Sequence, residues 1–300
     1  MSQDAIHDHE ANSKLGPSAL CAASWEASYF VHENYLFSCG SGGKGELGQG
    51  EDVIVSTDHR RVLHFPPVGT EIIDITASVS HVVAVLSNGE VYGWGSGRKG
   101  QIGEPAEICW QPRKIEGINF KAVRAVCGRD FTYIVSQPSE GAHLVLGSNK
   151  FGIRAQAPDS IYDWKSIGAS WGSIYVLLDT GSLIAWGRND HGQLPPAGLP
   201  KLQQIAVGSE HVIAGTESGK VIAWGWGEHG NCGTPMAEGG DVKDGFNTLR
   251  VPGQVLFIGA GCATSWIFAI NDEESDKKDE DEVELRDPRL PDVNLGYGSL

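Results

Sequence analysis

The sequence predicts an all-β fold, a β-propeller of about six blades, with seven blades as the alternative. Glycine supplies 40 of the 300 residues, well above the ~7% of an average soluble protein. Nine tryptophans accompany only two methionines. A pattern of apolar residues and glycines recurs along the chain, and helical periodicity is nearly absent. Together these features favour a turn-rich repeat of short strands.

The recurring pattern has two halves. The second half is an apolar stretch followed by glycines at fixed offsets, and its aligned glycines are Gly40, Gly95, Gly147, Gly187 and Gly225. They are 55, 52, 40 and 38 residues apart, which suits propeller blades. The first half is an apolar strand that precedes each copy, and a sixth first half follows at residues 258–270. The sequence thus predicts six first halves and five clear second halves in a propeller spanning residues 19–270.

Tight turns connect the predicted strands. Asn88-Gly89, Thr180-Gly181 and Ser218-Gly219 lie between β-branched or aromatic runs, which is typical of two-residue hairpins whose turn residues need positive φ. One sheet of this kind cannot cover both of its faces, whereas sheets stacked radially bury a continuous core. Three tryptophans share the position just before an aligned glycine, and we expect them to pack between blades: Trp94, Trp186 and Trp224.

The two ends of the chain differ in composition from the repeat. Residues 1–18 are polar and are predicted to be a flexible N-terminus. Residues 271–300 contain eleven acidic and four basic residues, so we expect an acidic, disordered, solvated tail. An alternative concerns the stretch from Val293 to Gly298, which resembles a sixth second half and would close the ring as a strand.

Charge and composition exclude several classes of function. The formal net charge is −15, which disfavours direct binding to nucleic acid or to an anionic membrane. No apolar run approaches the ~18 residues of a membrane span, and the N-terminus has no signal-peptide pattern. The six cysteines are scattered without a C-x-x-C pair, as in reduced thiols. We expect a cytoplasmic protein, with the nucleus as a second compartment.

No motif predicts catalysis, a cofactor or a metal. The pattern G-x-G-x-x-G recurs with the repeat and no helix is predicted after it, so it indicates structural turns rather than a dinucleotide site. His229 and Cys232 lie three residues apart but have no second ligand pair nearby. His81 and His211 occupy equivalent repeat positions, which predicts hydrogen-bonded turn residues. We therefore expect a protein that is not an enzyme, with no catalytic residue, no cofactor and no metal site.

Trp226 departs from the repeat. Small or turn-forming residues hold the equivalent positions: Gly42, Gly97, Asn149 and Asn189. A large aromatic residue at a turn, followed by polar residues, is typical of a contact surface. We therefore predict a partner-binding turn made of Trp226, Glu228, His229 and Asn231, the alternative being that Trp226 packs locally.

Two groups of residues carry a family resemblance. Residues 92–103 and 186–194 resemble the repeat of the regulator-of-chromosome-condensation family, and the resemblance extends over about residues 20–270. Residues 224–233 and 261–266 resemble a fungal branch of that family, the alpha-tubulin suppressors, also called killer-toxin-insensitivity proteins. The branch implies a heterodimer with a small zinc-finger-like metalloprotein of the diphthamide pathway, whose metal belongs to the partner.

The same resemblance implies a cellular role. It implies support for diphthamide synthesis on elongation factor 2 and for Elongator-dependent modification of the wobble uridine in tRNA, with Elongator as a further partner. The chromatin-bound relatives of the family imply a second role, guanine-nucleotide exchange on a small GTPase. Exchange requires a shaped surface rather than a motif, so the sequence leaves this alternative open.

Overall fold

The structure is a computed structural model that describes residues 20–270. The predicted N-terminal segment and the acidic tail, including Val293 to Gly298, lie outside the described residues. Twenty strands follow one another along the described chain: β1 (Cys21–Ala23), β2 (Ala27–His32), β3 (Tyr35–Ser41), β4 (Val55–Arg61), β5 (Ile72–Ala77), β6 (His81–Leu86), β7 (Val91–Ser96), β8 (Ile108–Lys114), β9 (Arg124–Cys127), β10 (Phe131–Val135), β11 (His143–Gly147), β12 (Trp164–Ala169), β13 (Ser173–Leu178), β14 (Leu183–Gly187), β15 (Leu202–Val207), β16 (His211–Thr216), β17 (Val221–Trp226), β18 (Asp241–Leu249), β19 (Gln254–Ala260) and β20 (Ser265–Ile270). A short 3₁₀ turn at Lys150–Gly152 follows β11.

The strands form six antiparallel sheets, each built from consecutive strands. Three sheets have four strands each, β1–β4, β5–β8 and β15–β18. Two sheets have three strands each, β9–β11 and β12–β14, and the last sheet has two, β19–β20. The first strands of the sheets contact one another in chain order. Six sheets confirm the predicted propeller of about six blades. The six first halves correspond to the first two strands of each sheet, and the five second halves correspond to β3, β7, β11, β14 and β17.

The loops between the first and second strands surround a central cavity of about 410 Å³, and all six sheets contribute to its lining. Backbone hydrogen bonds join neighbouring loops around the cavity. The N–H of Arg129 donates to the carbonyl of Trp171 over 3.1 Å, and that of Trp171 donates to Ser209 over 2.9 Å. The N–H of Ser209 in turn donates to Gly261 over 3.1 Å. This arrangement brings loops that are distant in sequence onto one face of the ring.

The three repeat tryptophans pack between sheets, as predicted. Trp94 and Trp224 are fully buried and Trp186 nearly so. Each indole Nε1–H donates to a carbonyl in the turn of the preceding sheet: Glu46 at 2.8 Å, Gln193 at 3.0 Å and Ile153 at 2.8 Å for Trp94, Trp224 and Trp186 respectively. Burying the rings while satisfying each donor ties adjacent blades together.

The hairpin prediction was wrong in its geometry. Gly89 has a φ of +88°, but Asn88 is not among the residues with positive φ. The N–H of Gly89 donates to Leu86 over 2.8 Å, and the N–H of Leu86 donates to Glu90 over 2.9 Å. This is a type I turn closed by a glycine bulge, in which only the glycine needs the left-handed conformation. Gly181 and Gly219 end equivalent turns.

Candidate functional site

The predicted partner-binding turn begins at the end of β17. The N–H of Trp226, the last residue of that strand, donates to the carbonyl of Glu210 over 2.9 Å, and Trp226 pairs with Asp241 at the start of β18. The N–H of Gly227 donates to Gly240 over 2.8 Å, which closes the loop between the two strands. These backbone contacts fix where the Trp226 side chain leaves the sheet. They also correct the predicted alignment by one residue: Trp226 directly follows the aligned glycine Gly225, so its repeat equivalents are Ser41, Ser96, Ser148 and Arg188, whereas Gly42, Gly97, Asn149 and Asn189 are equivalent to Gly227.

Two histidines flank the Trp226 ring, which is half-buried. The ring of His191, from the loop after β14 of the neighbouring sheet, stacks on it with centroids 5.3 Å apart and planes 25° apart. The ring of His229, from the same turn, lies 6.2 Å away at 51°. His191 Nδ1 lies 2.9 Å from Oδ1 of Asp241. Trp226 therefore packs against its neighbours and still presents part of its surface.

The other three predicted residues divide into two groups. Glu228 and His229 are exposed. Asn231 is buried, its Nδ2 donates to the Trp226 carbonyl over 2.9 Å, and its own carbonyl accepts from Ser265 Oγ over 2.8 Å. The structure therefore places Trp226, Glu228 and His229 at the surface, while Asn231 anchors the turn to the last sheet.

A network of ion pairs centred on Arg188 adjoins this turn and was not predicted; of its members only Glu210 is buried. Arg188 donates from Nε and Nη2 to the two carboxylate oxygens of Asp190 over 2.6 and 2.9 Å, and its Nη1 pairs with Glu210. Gln193 Nε2 donates to the other Glu210 oxygen over 2.8 Å. Burial acts to raise the pKa of Asp190, but the hydrogen bonds from Arg188 and Gln193 outweigh it and lower the pKa to about 2. Asp190 is therefore ionised at neutral pH.

Further aromatic residues lie beside the central cavity. Trp25, which is 63% exposed, stacks on Trp171 with centroids 5.9 Å apart. The Arg129 guanidinium lies 5.4 Å from the Trp171 ring, and that of Arg188 lies 5.4 Å from the Phe151 ring. A second cavity, of about 460 Å³, is lined by Arg129, Phe151, Trp171 and Arg188. We call the surface on which they and the turn lie the loop face, defined by Trp25, Phe151, Trp171, Arg188, His191 and Trp226.

Trp25 and Trp171 were not predicted, although the repeat carries a signal for both. Both occupy the same repeat position, the second loop residue after a first strand. The equivalent positions hold Val79, Arg129, Ser209 and Cys262. The comparison that singled out Trp226, a large aromatic residue where the repeat does not require one, would have found them.

The buried histidines and cysteine have structural surroundings. His81 Nε2 lies 3.1 Å from Thr132 Oγ1, and His211 Nε2 lies 3.0 Å from Ser265 Oγ, each in the next sheet. Burial lowers the pKa of both histidines to about 4 and raises the pKa of the Cys232 thiol to about 12. Between residues 20 and 270, no three His, Cys, Asp or Glu side chains are placed to hold a metal ion. No helix in that range is long and apolar enough to cross a membrane.

Sequence comparisons agree with this architecture. The family model described as "Regulator of chromosome condensation (RCC1) repeat" matches residues 88–135, and a second model of the same description matches 72–101, 164–193 and 203–231. An RCC1 repeat-containing protein of Schizosaccharomyces pombe is 35% identical over 256 residues, which cover 81% of this chain and 70% of that protein.

Two further similarities are more distant. The secretion-regulating guanine nucleotide exchange factor of Bos taurus is 29% identical over 198 residues, which cover 58% of this chain and 41% of that protein. The crystal structure of human WBSCR16 superposes with a TM-score of 0.71 at 20% identity, covering 84% of this chain and 72% of the other. The last of these shows a shared fold.

Proposed function

The chain belongs to the RCC1 repeat family, and from that premise we propose that it is a non-catalytic interaction protein that binds a partner through the loop face, with Trp226 as the central contact. The observation that carries the proposal is the setting of Trp226. Its ring is half-buried between His191 and His229, and Glu228 stands exposed beside it. An aromatic side chain held in place and surrounded by polar groups loses little entropy on binding, which is typical of interface hot spots.

The partner that we propose is the small zinc-finger-like metalloprotein of the diphthamide pathway, bound in a heterodimer. The resemblance of residues 224–233 and 261–266 to the fungal alpha-tubulin suppressors supports this choice. In this role the protein supports diphthamide synthesis on elongation factor 2 and Elongator-dependent modification of wobble uridine, with Elongator as a further partner. It acts in the cytoplasm and the nucleus, contacts neither nucleic acid nor membrane directly, and holds no metal of its own.

The charge around the turn is consistent with such a partner. Glu228 is exposed, the Asp241 carboxylate lies 2.9 Å from Nδ1 of His191, and Asp190 remains ionised at neutral pH. The whole chain carries a formal net charge of −15. A partner surface that is basic, or that lies close to a bound cation, would be attracted to this part of the loop face before contact.

Calorimetric titration with the purified metalloprotein tests the proposal. We expect Trp226→Ala to weaken binding by roughly 2 kcal/mol, about 30-fold, on the scale of interface hot spots. The matched control is Tyr35→Ala, which removes an exposed aromatic side chain at the β2–β3 turn, at the opposite end of the sheet from the loop face, and should retain the wild-type affinity. Both variants should keep the wild-type melting temperature. Unchanged affinity of Trp226→Ala would refute the role of the turn.

The exchange-factor alternative has its own support and its own outcome. The Bos taurus relative is named a guanine nucleotide exchange factor, and the proposal of exchange for this chain rests on that similarity. It predicts that the wild-type protein fails to bind the metalloprotein and accelerates the release of labelled GDP from a small GTPase. Binding to the metalloprotein without such acceleration would instead favour the accessory role.

A further inference from the structure

The last sheet differs from the other five, because it consists of β19 and β20 alone within residues 20–270. In the other sheets a third strand pairs with the second, but β20 has no such neighbour in the described part of the chain. Large apolar side chains on the two strands are 53–58% exposed: Leu256, Phe257, Trp266, Phe268 and Ile270. An open strand edge beside exposed apolar residues favours pairing with another strand.

The third strands of the other sheets share one strict requirement. An aligned glycine faces the first residue of the second strand, as Gly95 faces His81 and Gly187 faces Ser173. All five aligned glycines have φ between +92° and +119°. A Cβ on any of them would lie under 3.0 Å from the carbonyl oxygen that precedes the second strand. That same carbonyl accepts the N–H of the residue after the glycine, over 2.7–3.0 Å.

A segment outside the described residues matches this pattern. Gly296-Tyr297-Gly298-Ser299 aligns with Gly93-Trp94-Gly95-Ser96. Gly298 falls at the position where only glycine fits, and Tyr297 falls at the position of the tryptophans that pack between blades. Ser299 matches a residue type found after the aligned glycine in three of the five third strands: Ser41, Ser96 and Ser148.

We propose that residues 293–299 of this chain form the third strand of the last sheet, antiparallel to β20. The inference stands apart from the partner proposed for the Trp226 turn. The known registers fix the pairing: Ala260 pairs with Ser265 as Ala77 pairs with Val82. Thr264 is therefore the equivalent of His81, and Gly298 faces it.

In the same register, Tyr297 takes the position that Trp94 and Trp224 hold in their own sheets. Trp94 and Trp224 donate to the carbonyls of Glu46 and Gln193 in the preceding sheet, and the equivalent residue of the fifth sheet is Asn231. The side-chain Oδ1 of Asn231 is buried and accepts no hydrogen bond from residues 20–270. Tyr297 brings a hydroxyl donor and an aromatic ring to this position, where a buried acceptor lacks a partner.

The charge distribution beyond residue 270 separates an acidic stretch from the proposed strand. All eleven acidic residues beyond residue 270 lie within 271–292, and residues 293–300 contain no charged side chain. The acidic stretch is a long connection between β20 and the new strand. Because the entropic cost of closing a loop grows only with the logarithm of its length, such a connection does not prevent the strand from pairing.

Two glycine substitutions in the full-length chain test the proposal by thermal unfolding. Gly298→Ala places a Cβ where the five equivalent positions exclude one, and we expect the melting temperature to fall by roughly 3 °C or more. Gly296→Ala is the matched control, since Ala185 and Ala223 occupy its equivalent position in other sheets. It should retain the wild-type melting temperature. A Gly298→Ala protein as stable as the wild type would overturn the proposal.

Hydrogen exchange on the same proteins locates the strand. We expect the amides of residues 294–299 to be protected in the wild type and in Gly296→Ala, and to lose protection in Gly298→Ala together with the amides of β20. Protection in the wild type should not depend on protein concentration. Fully exchanging amides at 294–299 would overturn the proposal. Protection seen only in a dimer would overturn it as well, because a second copy of the chain would then cover the open edge of β20.

Discussion

Replacing Gly187 with alanine adds one methyl group at a position where the structure leaves no room for it. Its φ is +114°, a conformation that costs a residue with a Cβ about 1–2 kcal/mol. The added Cβ would also lie 2.9 Å from the Ser173 Cα and closer still to the Gly172 carbonyl oxygen. Both neighbours are backbone atoms at the start of β13, so the strands must separate to relieve the contact.

Two other glycines allow the two costs to be measured separately. Gly198 has a φ of +77° and nothing within 4 Å of an added Cβ, so Gly198→Ala should cost only the conformational penalty, about 1 kcal/mol. Gly43 lacks positive φ and is equally open, so Gly43→Ala should change stability by less than about 0.5 kcal/mol. Gly187→Ala carries both penalties, and we expect roughly 3 kcal/mol or more.

The assay is equilibrium unfolding in urea, followed by circular dichroism and tryptophan fluorescence. The expected order of stability is wild type and Gly43→Ala together, then Gly198→Ala, then Gly187→Ala. If Gly187→Ala costs no more than Gly198→Ala, the close approach between β13 and β14 does not exist. The assignment of the aligned glycines to blade turns would then be wrong.

Three further predictions concern protonation, reactivity and charge. Because burial lowers the pKa of His81 and His211 from 6.5 to about 4, the unfolded chain binds more protons between these values. Stability should therefore fall as the pH drops from 6.5 towards 4, by about 2 kcal/mol per histidine at pH 5, and an unchanged melting-temperature slope in His211→Gln would contradict this. Iodoacetamide should modify the exposed Cys262 in the native protein and the buried Cys232 only after unfolding, which peptide mass spectrometry can verify. Glu228→Lys should slow association with the metalloprotein at low salt, measured by stopped flow, and a deficit that persists at high salt would argue against electrostatic steering.

The fold was predictable because its strictest steric requirements fall on single residues. Gly95 and Gly187 must be glycine whatever surrounds them, so the repeat remains visible even where other positions vary. Trp94 and Trp224 fill equivalent spaces between blades and keep their residue type. The hairpin geometry was not predictable in the same way, since Asn88-Gly89 is compatible both with a two-residue turn and with a longer turn ending in a glycine bulge.

The candidate site was predictable only in part. Trp226 is visible in the sequence as a departure from the repeat, but its contact with His191 joins loops of two different sheets. Contacts of this kind depend on how neighbouring blades are oriented, which no local pattern records. The burial of Asn231 was hidden for the same reason, because Ser265 of the next sheet covers it.

The loop face can vary in sequence at Trp25 and Trp171 because backbone hydrogen bonds join the loops that carry them to neighbouring loops. The N–H of Trp25 donates to Val79 and that of Trp171 donates to Ser209, and neither bond depends on the side chain. Selection for a partner can therefore change these side chains without changing the ring, whereas the aligned glycines can change only at the expense of stability. The two classes should separate experimentally: Trp226→Ala should alter binding at constant melting temperature, and Gly187→Ala should lower the melting temperature whether or not a partner is present.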